Sequence, residues 1–218
     1  MCPTVWFYLA EIYRILDEEP VCSLSELANR MGVSVQATSR MIKQMADNGH
    51  VIHEPYRGVT LTPEGERIAL QVLRRHRILE AYLVSVMGFG WHEAHEMTDA
   101  LERSANDKLI ERMFEMADRP TRCPHGEPIP SSEGVMPVVK DECLPEWPIG
   151  KPGRISRVKA RDEEKLNYFA KLELFPGTPV TVVEHAPFDG PIHLVRNEDE
   201  PIVLGKELAG DLYIEQAG

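Results

Sequence analysis

The chain has 218 residues, of which 43% are hydrophobic and 27% charged, enough apolar material for a real core and for two or three compact units. No apolar run approaches the roughly 20 residues that span a bilayer, and the N-terminus MCPTVWFYLAEIYRIL lacks the basic segment and cleavage site of a secretory signal, so no membrane partner and a cytoplasmic location are expected. The net charge of -11 argues against wholesale nucleic-acid binding, but residues 1–75 hold 8 Lys+Arg against 9 Asp+Glu; the N-terminal part can still offer DNA a basic face, and the acidic remainder suits cations.

Val5, Leu9, Ile12 and Leu16 recur at helical spacing over residues 4–18, and Asp17-Glu18-Glu19-Pro20 ends that helix. Ser23 or Ser25 is placed to cap a short helix carrying Leu27, Ala28 and Met31, which stops at Gly32. Ser34 is placed to cap the next, with Val35, Thr38, Met41, Ile42 and Met45 inward and Asn48-Gly49 at its end. Two short helices joined by a Gly-containing turn form a helix-turn-helix. Two β-prone runs, Val51-Ile52-His53 and Val59-Thr60-Leu61, flank Pro55-Tyr56-Arg57-Gly58 and predict a hairpin, the wing of a winged helix. In that arrangement the second helix enters the major groove and exposes Ser34, Gln36, Ala37, Ser39, Arg40 and Lys43. Arg40 and Gln36 carry the donors that read guanine and adenine edges, while Ser39, Lys43 and the wing's Tyr56 and Arg57 suit phosphates. A winged helix used only for protein contacts is the bland alternative.

Thr62-Pro63-Glu64 starts a long helix. Within RRHRILEAYLVSVMGFGWHEAHEMTDALE (74–102), helical spacing breaks once, at Met87-Gly88-Phe89-Gly90-Trp91. His76 and Glu80 are one turn apart on the first helix; His95, Asp99 and Glu102 share a face of the second. Imidazoles and carboxylates converging from packed helices suit a first-row divalent metal. A third helix, Asn106 to Met116, carries the apolar stripe Leu109, Ile110, Met113 and Phe114, which is either core or a dimer interface. Residues 119–153 are rich in Pro and Gly and are expected to be loop or linker. That stretch contains Cys123-Pro124-His125, two metal-ligating side chains one residue apart. The four cysteines include no CxxC pair and suit free thiols or single ligands better than disulfides. Five short β-prone runs between Gly153 and Ile214, with one helix from Glu163 to Leu172, predict a small β-barrel.

This order of parts resembles the diphtheria toxin repressor family, in the branch of manganese transport regulators that keep the barrel. RRHRILEAYL, HEMTDALER and CPHGEPIP are its most specific pieces, and the resemblance covers essentially the whole chain. It implies a mainly α chain with a small β-barrel: a winged helix-turn-helix over 1–63, a helical dimerisation and metal-binding domain over 64–130, a linker over 131–152 and an SH3-like, FeoA-like domain over 153–218. It also implies a homodimeric transcription factor, not an enzyme, that binds double-stranded operator DNA when loaded with Mn2+ or Fe2+ and usually represses metal uptake. One metal site would fall on His76, Glu80, His95, Cys123 and His125, completed from the barrel by Asp162. A second family site would use Asp99 and Glu102, but Phe7 and Arg103 stand where its other ligands belong. Neither coordinates a cation, so this site is expected to be weak or empty, with Arg103 pairing with Asp99 or Glu102 instead. Asp rather than Cys at position 99 resembles the manganese branch; iron is second, and other first-row ions are expected to bind in vitro. Two rivals stay open: a winged-helix regulator sensing an organic ligand, and a metalloenzyme, which no H-E-x-x-H motif, nucleophile elbow or glycine-rich phosphate loop supports.

Overall fold

The computed structural model describes residues 3–54, 57–160, 162–196 and 201–216. The chain packs as two compact units, residues 1–76 with 129–137 and residues 77–128 with 138–218. These divisions do not follow composition. The middle helical segment is shared between the units, and the Pro-rich stretch 131–152 is divided between them.

The first unit holds α1 (Pro3–Glu18), α2 (Leu24–Arg30), α3 (Val35–Asp47), β1 (Val51–Glu54), β2 (Gly58–Leu61) and the start of α4 (Pro63–Ser85). Ser23, not Ser25, caps α2, its hydroxyl accepting from Glu26 N at 3.1 Å, and Ser34 caps α3 by accepting from Ala37 N at 3.2 Å. The strands pair antiparallel with Val51 opposite Leu61 and His53 opposite Val59, making the expected hairpin. Leu9, Ile12 and Ile15 of α1 close on Leu27, Ile42, Met45, Val51 and Val59 in one fully buried cluster. Val35 was expected inward and is exposed. It opens α3 ahead of Thr38, the first side chain of that helix to be buried.

Thr62 joins the wing to α4. Its Oγ1 lies 2.7 Å from the Gly49 carbonyl and accepts from Gly65 N at 3.1 Å, capping the helix. Residues 129–137 lie as a strap on this unit: Arg74 Nη1 donates to the Pro130 carbonyl at 3.0 Å, and Met136 packs against the cluster of Ala10, Leu70 and Leu73.

The second unit holds the rest of α4, α5 (Trp91–Glu102), α6 (Asp107–Met116) and a β domain of β3 (Glu142–Cys143), β4 (Pro152–Val158), α7 (Glu163–Lys171), β5 (Pro179–His185), β6 (Ile192–Val195), β7 (Ile202–Leu204), α8 (Lys206–Gly210) and β8 (Leu212–Gln216). The sheet runs β3-β8-β4-β5-β6-β7, and every pairing is antiparallel. All five predicted β runs are strands. Part of the predicted linker belongs to this domain instead: β3 pairs with β8, and Leu144, which opens the 3-10 turn beside it, and Trp147, which follows that turn, are buried with Ile155, Phe169, Val182, Leu194 and Ile214. Two apolar anchors in a Pro-rich stretch carry no period, so composition alone marks them as loop.

Gly65 has the least room of the glycines described in the first unit, since a Cβ there would lie 1.9 Å from the His50 carbonyl oxygen. Gly65→Ala must therefore push the base of the wing away from α4. It is expected to lower stability by about 1–3 kcal/mol, read as a lower midpoint in urea unfolding; an unchanged midpoint would show that this junction yields freely.

Candidate metal centre and nucleic-acid interface

Within the second unit, three segments bring four side chains together: Glu80 from α4, His95 from α5, and Cys123 and His125 from the loop that follows α6. The turn between α4 and α5 passes through Gly88 at φ 77°, a left-handed conformation suited to glycine. Glu93 then accepts from Gly90 N at 2.8 Å and squares off the start of α5. One turn later His95 meets Glu80, its Nδ1 2.9 Å from Oε1. The other carboxylate oxygen, Oε2, lies 3.6 Å from His125 Nδ1, and Cys123 Sγ is 4.0 Å from that same nitrogen. Glu80, Cys123 and His125 each offer a donor atom within 4.8 Å of the others, and all three are buried.

The ligand loop is held from both sides. Cys123 N donates to the Glu127 carbonyl at 2.9 Å, and Val158 N of β4 donates to the His125 carbonyl at 2.8 Å. Gly126, at φ 83°, sits where a Cβ would come 2.0 Å from the Ser156 carbonyl, so loop and strand touch backbone to backbone. The Glu127 carboxylate accepts from Arg77 Nη2 of α4 at 2.8 Å and lies 3.5 Å from Arg157 Nη1 of β4. Arg157 in turn donates to both oxygens of Asp141, at 2.7 and 2.8 Å, a bidentate pair of the strong type.

The donor set fits a divalent cation: one carboxylate, two imidazoles and one thiol, converging in a place from which water is largely excluded. Burial pushes the Cys123 thiol well above the ordinary thiol range, with the nearby Glu80 adding to it and Arg77 opposing it. The thiol is therefore protonated near neutrality, and ligation has to displace that proton. His125 Nε2 is buried with no hydrogen-bond partner among the described residues.

The other expected ligands are placed as follows. His76 lies one turn before Glu80 on the same face of α4 and is buried. Asp162 is the N-cap of α7, its side chain accepting from Lys165 N at 3.0 Å, and it is absent from the groups of converging donor atoms among the described residues. An extended backbone just before a helix start makes an aspartate a cap first. Asp99 and Glu102 lie one turn apart on α5, the first exposed and the second buried, outside the Glu80–Cys123–His125 group. Arg103 is the C-cap of that helix.

On α3 of the first unit, Gln36, Ser39, Arg40 and Lys43 are exposed, Ala37 is half-buried, and the exposed Ser34 uses its hydroxyl as the cap. Arg57 of the wing is exposed and lies 3.5 Å from Glu54; Tyr56 lies outside the described residues. Val33 and Val35 are exposed at the start of α3, where apolar side chains suit thymine methyl groups. The sequence pattern had assigned Val35 to the core. The contribution of Trp91, which stacks on His125 with ring centroids 5.2 Å apart, also carried no signal in the spacing.

Residues 4–59 match the family described as iron dependent repressor, N-terminal DNA binding domain; residues 62–131 match iron dependent repressor, metal binding and dimerisation domain, and residues 143–216 match the FeoA domain. A solved structure described as a manganese-dependent transcriptional repressor in complex with manganese is 31% identical, with a TM-score of 0.90 over 98% of this chain and 100% of that one. The chain belongs to the iron-dependent repressor family. Its members include the iron-dependent repressor IdeR of Mycobacterium tuberculosis, 28% identical over 98% of this chain and 97% of that protein. The diphtheria toxin repressor of Corynebacterium efficiens is 33% identical over 58% of this chain, which spans about half (55%) of that relative's length. The family is one of DNA-binding repressors rather than enzymes, and among the described residues no helix is long and apolar enough to cross a membrane.

Glu80 touches both imidazoles, so Glu80→Gln removes the one anionic oxygen donor while keeping the shape. Loss of an outer-shell partner alone typically costs roughly 10- to 100-fold in metal affinity; Glu80→Gln is expected to cost at least that for Mn2+, measured from the electron paramagnetic resonance signal of the free ion. Undiminished affinity would remove Glu80 from the centre.

Proposed function

We propose that this chain is a metal-activated transcriptional repressor that binds double-stranded operator DNA as a homodimer, with Mn2+ as its ion and Fe2+ as the alternative. One observation carries the reading: the Glu80 carboxylate shared by His95 and His125, with the Cys123 thiol beside it, in a chain that begins with a winged helix. Glu80, His95, Cys123 and His125 would hold the ion, with His76 one turn away on α4 as the next donor. A bound divalent cation supplies positive charge to a buried carboxylate and thiolate and ties helix donors to loop donors. The relative whose structure is described as a complex with manganese supports Mn2+. The thiol makes the set softer than oxygen and nitrogen alone, so Zn2+ is expected to bind more tightly than Mn2+ in vitro.

Asp99 and Glu102 are assigned no strong second ion, because the neighbouring Arg103 adds positive charge at that end of α5. Asp162 serves as the cap of α7. On DNA, Arg40 and Gln36 are assigned to base edges and Ser39, Lys43 and Arg57 to phosphates, with Tyr56 retained as a wing contact. The second copy is assigned to α6, where Leu109 and Met116 are exposed and Met113 and Phe114 half-buried. A DNA-binding role supports a cytoplasmic location.

Activation follows from differential affinity. The four donors sit on three separate segments, and holding them at ligand distance favours one arrangement of those segments; an ion that bound every arrangement equally would shift nothing. A duplex selected from a random pool by the Mn2+-loaded protein is expected to lose binding in excess chelator and to regain it with Mn2+. Equal affinity in both conditions sinks the metal switch. On the same duplex, Arg40→Ala is expected to cost about 1–3 kcal/mol and to relax specificity at one base pair; uniform weakening across sequences would move Arg40 to the phosphates.

A further inference from the structure

The metal-ligating histidine of a settled site normally donates its second ring nitrogen to a carboxylate, carbonyl or water, which fixes the tautomer and the ring plane. Among the described residues His125 has no such partner. Its Nδ1 faces Glu80 and Cys123, and its Nε2 is buried without a hydrogen-bond partner among the described residues. The last torsion of a histidine is broad, so something else must hold the ring.

The indole of Trp91 lies against it. The two rings stack at 5.2 Å between centroids and 18° between planes. Trp91 is itself immobilised: it is buried, packed with the β-domain core of Leu144, Ile155 and Phe169, and tilted against Phe175 at 5.1 Å. It is also the first residue of α5, one helical turn ahead of His95. A single side chain thus sets the plane of one imidazole and lies on the helix that carries the other.

We propose that Trp91 is a positioning residue of the metal centre, whose indole face holds the His125 imidazole so that Nδ1 is presented to the ion. The proposal rests on the metal-binding reading above. The contact also favours the loaded state over the empty one, because an imidazole that donates electrons to a cation becomes positively polarised, and a polarised ring is attracted to the face of an indole more than a neutral ring is. Tryptophan is the strongest aromatic partner for this, phenylalanine a weaker one, and leucine offers none.

The test uses the full chain and two probes, Mn2+ followed by the resonance of the free ion and Co2+ followed by its thiolate charge-transfer band from Cys123. Trp91→Leu is expected to weaken Mn2+ binding roughly 10- to 100-fold, the range of an outer-shell loss, and to shift the Co2+ band as the geometry loosens. Trp91→Phe keeps a ring in place and is expected to lose less than Trp91→Leu. Trp147→Phe is the control, because Trp147 is buried in the same core but does not stack on a ligand; it is expected to lower the unfolding midpoint while leaving Mn2+ affinity within about twofold. Trp91→Leu binding as tightly as wild type, or Trp147→Phe weakening binding as much, overturns the positioning role alone. A wild-type chain that binds neither ion overturns it together with the metal reading.

Discussion

A carboxylate that is 3% exposed and shared between two imidazoles is the constraint on which the second unit depends. Burying a carboxylate is costly unless hydrogen bonds and positive charge meet it. Glu80 has a histidine beside each oxygen, and the histidines come from different segments, so α4, α5 and the Cys123–Glu127 loop meet at this one carboxylate. The atoms that meet this local demand are the same ones that converge as potential ligands.

The ligand loop answers that demand by being rigid. It is bonded by its backbone to β4, pressed against that strand where Gly126 leaves no room for a side chain, and held through Glu127 by arginines from α4 and β4. Arg77–Glu127–Arg157–Asp141 is a run of alternating charge in which each carboxylate faces arginine. Such a run contributes modestly to stability but is expensive to break at one member, because the charge left behind is largely buried. Its value to the protein is geometric. It fixes two donors to the β domain while the other two stay on helices.

The winged-helix unit is organised by a plainer rule, apolar residues at helical spacing closing on a two-stranded hairpin, and the exposed side chains of α3 project without entering that core. Nearly all of it was legible in the sequence, since caps, glycine stops and alternating strands are local signals. Where the reading failed it failed at edges. Val35 has the spacing of a core residue but precedes the first buried turn. Leu144 and Trp147 anchor the β domain from within a stretch whose prolines and glycines otherwise mark a loop.

For the centre, spacing alone determined that His76 and Glu80 share a face and that His95 lies along the next helix, and the Cys-Pro-His triplet was visible as a pair of donors with no structural excuse. Composition likewise determined that the chain is acidic beyond the winged helix. Tertiary structure alone decided that one carboxylate serves both histidines, that Asp162 caps a helix instead of joining the donors, and that Trp91 stacks on His125. The reason is physical. A helix period places residues relative to their own axis, whereas a coordination shell is a set of distances between segments far apart in sequence, and those are fixed by packing.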